Sequence, residues 1–416
     1  MPLDPRFAGV KAILAAVTLT LLFLSPCVLA QESVLFSFND HDGNEPIGGV
    51  IFDSSGNLYG TTFYGGSSTV GVVYQLKPSS AGNWKEKVLH TFSIDGTDGY
   101  WTPAGLTLDS AGNLYGVTWF GGTADEGIVY KLSPNSDGSW TETILHNFVN
   151  DGTDGFYPHS SVILDAQGNL YGTTANGGGA GNYGVVYELS PSGGTWTETI
   201  LHTFANTEGA NPFGSLVFDA AGNLYGTTSA GGGSSSACKY GCGTVFELSP
   251  SGGSWNVTVL HNFTTNPRDG RFPYCVLVFD SGGNLYGMTS EGGSAGNYGT
   301  VFELTPSGNS WKETILHVFN RNGTDGYYPF NGLIIDAAGN LYGTTQTGGF
   351  HGQGIAFELT PSNGTWNEKI LYNFNPQGRG GYDPVARLVF DSAGNLYGTA
   401  ISGGAYSKGT VFEIKP

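Results

Sequence analysis

The chain has 416 residues and a formal net charge of −18, with 16 Lys and Arg against 34 Asp and Glu. So acidic a surface repels nucleic acid and anionic lipid, which excludes partners held by attraction to phosphate. Only 12% of residues are charged while 68 are Gly and 13% are aromatic, the make-up of a turn-dense all-β protein rather than a disordered one.

Residues 1–30 read as an export signal. Arg6 and Lys11 precede an apolar run from Ala12 to Leu24, and Val28-Leu29-Ala30 supplies the small residues that signal peptidase needs, so the mature chain is expected to start at Gln31. The apolar run falls short of the roughly 20 residues that span a bilayer, and no later stretch is a membrane candidate. Pro26 disfavours lipidation of Cys27. Loss of the leader leaves a net charge of about −19.

The rest of the chain is one unit repeated. Asp-x-x-Gly-Asn-Leu-Tyr-Gly begins at Asp53, Asp109, Asp165, Asp219, Asp280, Asp336 and Asp391, at intervals of 54 to 61 residues. Residues 31–416 therefore form a single domain. Each unit contains four short strands. In the second these are Leu106 to Leu108 (a), Asn113 to Trp119 (b), Gly127 to Leu132 (c) and Trp140 to Phe148 (d), and the alternation in Glu142-Thr143-Ile144-Leu145-His146-Asn147-Phe148 selects strand over helix. The a–b turn, Asp109 to Asn113, combines an Asp that caps backbone N–H groups with a Gly at positive φ.

Four antiparallel strands per repeat make a propeller blade. Ser33 to Phe38 is a strand d without its a, b and c, and Gly409 to Ile414 is a strand c without its d. Seven complete blades result only if the N-terminal strand closes the last one, which also removes exposed sheet edges. The expected fold is thus all-β, a seven-bladed β-propeller closed by its own first strand.

In that fold the d–a and b–c loops share one face, and here they are long and varied, as binding loops on a rigid scaffold are. Asp98, Asp154 and Asp325, in the Asp-Gly-Thr-Asp-Gly and Asn-Gly-Thr-Asp-Gly loops, and the aromatic residues after them, including Tyr157 and Tyr328, are expected to ring the channel mouth. Trp101 and Trp119 break the repeat, since the other tryptophans, Trp84, Trp140, Trp196, Trp255, Trp311 and Trp366, follow c–d turns and are expected to wedge between blades. With Phe63, Tyr64, Tyr100 and Phe120 they form a candidate platform for a sugar ring or an apolar ligand.

Cys238 and Cys242 flank a short loop and suit a local disulfide in an oxidising compartment; Cys275 reads as a buried free thiol. Two thiolates without nearby His are a poor zinc set. No cofactor is required. The Asp40-His41-Asp42-Gly43-Asn44-Glu45 segment and the Asp-Gly-Thr-Asp-Gly loops offer the hard oxygen ligands of Ca²⁺, outside the twelve-residue loop pattern. The seven repeated turn aspartates are assigned to turn geometry, and His90, His146, His202, His261 and His317 to outer-strand structure rather than to a catalytic or metal role.

Gly-Asn-Leu-Tyr-Gly-Thr-Thr, Gly-Gly, Gly-x-Val-Phe-Glu-Leu-x-Pro and Leu-His-x-Phe, in that order, resemble the bacterial tandem-repeat family called GloVer, also known as choice-of-anchor repeat proteins. The resemblance implies an exported or surface protein, often with a C-terminal sorting anchor. Phe412 to Pro416 departs from this by ending within a blade, so release into the periplasm or medium is the expectation. The functional expectation is a monomeric, non-catalytic scaffold for a glycan or an extracellular protein. The alternative is a carbohydrate-active hydrolase or lyase using acids such as Asp98, Asp154 and Asp325.

Overall fold

A computed structural model describes residues 31–80, 82–233, 238–293, 296–308, 310–377 and 379–416. The proposed signal and Cys27 lie outside the described residues. Among the latter there is no helix; seven small antiparallel sheets carry the architecture, as a seven-bladed propeller. Blades 1 to 6 comprise residues 51–91, 107–147, 163–203, 217–262, 278–318 and 334–373, and blade 7 joins 389–415 to 31–37.

Blade 2 shows the common plan. Its strands are Thr107–Leu108, Leu114–Thr118, Ile128–Pro134 and Trp140–Asn147, hydrogen-bonded in the order a-b-c-d. Strand b is buried throughout, while strand d alternates exposed and half-buried positions before its last turns in. The pattern follows from position, since the middle strands pack blades on both faces and the outer one meets water. Gly112 takes φ 85° in the a–b turn, and the Asp109 carboxylate accepts the N–H groups of Ala111 and Asn113 and the hydroxyl of Tyr115. That tyrosine is buried, so a single Asp ties turn to core.

Closure happens as the ends required. Gln31–Ser37 pairs antiparallel with Thr410–Lys415, with Val34 opposite Phe412 and Ser37 opposite Thr410. The ring then needs adhesion between neighbouring blades. The c–d tryptophans supply it: Trp140 meets Tyr59 of blade 1 edge-to-face at 6.1 Å, and Trp196, Trp255, Trp311 and Trp366 meet Tyr115, Tyr171, Tyr225 and Tyr286 in the same way. Buried threonines add a polar stitch, as where Thr61 donates to the carbonyl of Ala104 at 2.8 Å and Thr227 to that of Cys275 at 2.9 Å. Each offers a hydroxyl to the next blade, so the buried carbonyl is not left bare.

Candidate functional site

The d–a and b–c loops do share a face, and backbone pairing joins them. Gly99–Tyr100 pairs with Phe120–Gly121, and equivalent pairs or single bridges recur in the other blades. At the same point in all seven blades one non-glycine residue takes a left-handed backbone, with φ between 53° and 59°: Glu45, Trp101, Tyr157, Asn211, Phe272, Tyr328 and Asp383. Such a conformation costs an ordinary side chain about 1 to 2 kcal/mol. The cost is offset by a bond to the preceding blade, as when Trp101 N–H donates to the carbonyl of Val70 and Tyr157 N–H to that of Glu126. Backbone is held constant here while the side chain changes completely.

Two residues further on stands an inner ring: Ile47, Pro103, His159, Phe213, Tyr274, Phe330 and Val385, all lining a central cavity of about 870 Å³. The two rings connect through aromatic contacts. Phe63 stacks on Trp101 at 5.7 Å and Tyr100 on Phe120 at 5.8 Å, while Trp101, Phe120 and Trp119 touch in turn at 5.4 and 5.5 Å. Trp119 then meets His159 at 5.6 Å, and the path continues through Phe213 and Tyr274 to Phe330 at 4.6, 5.5 and 5.7 Å. The structure therefore brings together Tyr64, Tyr100, Trp101, Trp119, Phe120 and Tyr157, all half-buried, and adds a crescent around the cavity. Tyr328 lies apart from that platform, against Tyr298 and Tyr327.

Charge on this surface is tempered by burial, which raises the pKa of Glu45 and Asp383 in the ring. The Tyr100 hydroxyl donates to Asp125 at 2.8 Å; burial and that carboxylate push it up to about 12. Burial lowers His159 to about 4, so its ring is neutral and behaves as an aromatic wall. Among the described residues no Asp or Glu lines the cavity.

Asp98, Asp154 and Asp325 stand elsewhere. They are 9%, 7% and 3% exposed and turn away from the channel toward the histidines of the outer strands. Asp154 accepts the N–H of Val149, and His146 Nε2 lies 3.3 Å from its Oδ2 and 3.6 Å from Glu198 of the next blade. The same His-Asp-Glu grouping occurs with His90, Asp98 and Glu142, with His261, Asp269 and Glu313, and with His317, Asp325 and Glu368. In each the three ligand atoms lie within 4.8 Å of one another, so these are the places among the described residues where a cation could be held. The loops considered for Ca²⁺ spend oxygens on their own backbone: Asp95 accepts from Thr97 and Asp98, and Asp42 from Asn39.

The grouping varies as a set. Where Val257 replaces the Glu, Glu208 replaces the Asp and meets His202 at 2.7 Å; where Tyr372 replaces the His, Gly380 replaces the Asp and the Tyr hydroxyl donates to Glu32 at 2.7 Å. Burial raises Glu142, Glu198, Glu313 and Glu368 to about 7, against the lowering by the adjacent His. Burial also opposes charge on His146, but the hydrogen bond to Asp154 and the charge of Glu198 outweigh it, leaving its pKa raised. The recurrent Trp-x-Glu-x-x-Leu-His spacing was the available signal for these glutamates; which aspartate completes the group needed the loop geometry.

Cys238 and Cys242 are joined in a disulfide, and Cys275 is a buried free thiol that burial pushes up to about 12.

Two solved structures share the fold. The extracellular domain of a one-component system from B. thetaiotaomicron aligns with TM-score 0.53 at 11% identity, over 92% of this chain and 39% of that one. PorZ, a surface component of the type-IX secretion system of Porphyromonas gingivalis, aligns with TM-score 0.51 at 15% identity, over 92% and 47%. The chain thus spans less than half the length of these structural relatives. A search of the curated proteins finds no match. The family model for the Gloeobacter/Verrucomicrobia repeat matches residues 20–238 and 234–416, and with seven repeats folded as seven blades the chain belongs to that repeat family.

Proposed function

We propose that the chain is an exported, secreted or periplasmic, non-catalytic scaffold that binds a glycan on its loop face. The observation that carries this is the ring of seven left-handed positions, where one backbone presents Trp101 and Tyr157 in blades 2 and 3 but Asn211 and Asp383 in blades 4 and 7. Variation of the side chain on a fixed frame is what recognition needs and what packing does not. Aromatic faces stack on the apolar faces of sugar rings while their polar tips stay wet, and the platform continues into a cavity large enough for a ring-sized ligand. Export is supported by the leader-like residues 1–30 and the local disulfide.

The hydrolase alternative calls for two carboxylates at a defined separation, roughly 5 to 9.5 Å, facing the bond to be cleaved. Among the described residues the cavity offers none, and the acids nominated for that role are engaged with histidines at the blade junctions.

A glycan array of the purified mature protein tests the proposal beside Trp101→Asn and Trp119→Ser. Both replacements copy residues that other blades carry at those positions, Asn211 and Ser229, so the fold tolerates them. Sugar binding that falls at least tenfold in both variants supports the scaffold. Binding of an extracellular protein with no sugar bound, or sugar binding indifferent to both changes, overturns the glycan reading.

A further inference from the structure

The position just before the Leu or Val that leads into each strand a is Gly49, Gly105, Ser161, Ser215, Val276 and Gly332 in the first six blades, and Arg387 in the seventh; all of these but Gly332 line the central cavity. The fold is thus built six times with a small or apolar residue there, and an arginine is no part of its packing requirement.

Arg387 reaches across blade 6, where its Nε donates to the carbonyl of Leu333 at 3.1 Å. That bond fixes the plane of the guanidinium. No carboxylate lies within ion-pair distance among the described residues, and no acid lines the cavity wall. An ionisable neighbour, Cys275, is neutral because burial pushes its thiol up to about 12. A guanidinium cannot shed its charge, and one held in apolar surroundings without a counter-ion is costly. Its remaining N–H groups form a fork that matches a carboxylate bidentately.

We infer that the central cavity binds a single carboxylate carried on a ring-sized body, the uronic-acid class of sugar, with Arg387 as its anchor. This rests on the glycan reading and narrows it. The carboxylate seats against the blade 6 and 7 wall, while the sugar ring meets Phe213, Tyr274 and Phe330. Among the described residues the cavity wall carries one cationic side chain, Arg387, so one acidic group is accommodated; the net charge of −18 repels a polyanion. Recognition by charge then sits deep in the cavity, and recognition by stacking at its mouth.

The experiment is calorimetric titration of the mature protein with galacturonate and glucuronate and with galactose and glucose, repeated on Arg387→Ser, the residue of blades 3 and 4. The expected result is a preference of tenfold or more for the uronates, lost in Arg387→Ser and weakened by added salt, with neutral-sugar binding unchanged. Equal affinity for uronate and neutral sugar overturns this inference and leaves the glycan reading standing. Absence of any sugar binding fails both. A thermal melt separates a structural role: Arg387→Ser should melt no lower than the parent, since it removes an uncompensated charge, and a lowered midpoint with unaltered uronate binding would make Arg387 a tie between blades 6 and 7 and nothing more.

Discussion

His146, on the outer strand of blade 2, holds its Nε2 3.3 Å from Oδ2 of Asp154, in the loop that leads to blade 3. Glu198, from blade 3 itself, closes the group at 3.6 Å from the same nitrogen. Each cluster therefore couples the protonation of its groups to the contact between two blades.

Stability should fall as pH rises from about 5 to 8. Glu198 and its three counterparts move from an ordinary 4.5 to about 7, so their contribution is complete below 4.5 and lost as pH climbs through 7. The raised histidines act in the same sense, contributing below their ordinary 6.5 and losing that contribution above it. Thermal melts should show a midpoint several degrees higher at pH 5.5 than at pH 8; an equal or higher midpoint at pH 8 would contradict the coupling.

Glu198→Gln keeps the shape and removes the buried charge. It should be close to neutral at pH 5.5, where the parent is already largely protonated, and stabilising at pH 8. Denaturant midpoints at the two pH values give the answer.

At the acid end the turns take over. Burial works to raise Asp109, but its hydrogen bonds from Asn113, Tyr115 and Ala111 outweigh it, so its pKa is lowered; Asp219 and Asp391 behave alike. Their contribution is present above the ordinary 3.8 and lost as pH falls through the lowered values. A second decline in melting temperature is expected below pH 4, and Asp109→Asn should shrink it.

Trp140→Ala should cost about 3 kcal/mol, at the low end for aromatic truncation because the ring is only half-buried. The loss falls on the junction with Tyr59 and is read from the urea midpoint.

Gly226→Ala tests a close approach in the core. A Cβ there would sit 2.6 Å from Cζ of the buried Phe246, so the ring must move, at about 1 to 3 kcal/mol. The same substitution at Gly222, where a Cβ meets nothing within 4 Å but φ is 88°, should cost about 1 kcal/mol through backbone strain alone. Comparing the two separates crowding from conformation.

Much of this architecture could be read directly. Repetition of Asp-x-x-Gly-Asn-Leu-Tyr-Gly fixes the number of blades, alternation fixes strands over helices, and an unpartnered strand at each end foretells the pairing of Val34 with Phe412. These are local or periodic properties, and a repeat states them seven times. Trp140 and its counterparts as interblade wedges also follow, because a residue present in nearly every unit serves the contact between units.

The site was legible only in part. Trp101 and Trp119 stand out in sequence because they break the repeat, and the fold sets them in one aromatic platform. The direction in which a loop acid points is not a periodic property. Asp98, Asp154 and Asp325 turn toward the outer strands because a backbone N–H and a histidine shortly before each in the chain receive them, and the glutamate that completes each group comes from the next blade. Likewise Arg387 is ordinary in sequence; only closure of the ring places it in a cavity with no acid to meet it, since a missing partner is a fact about every wall at once.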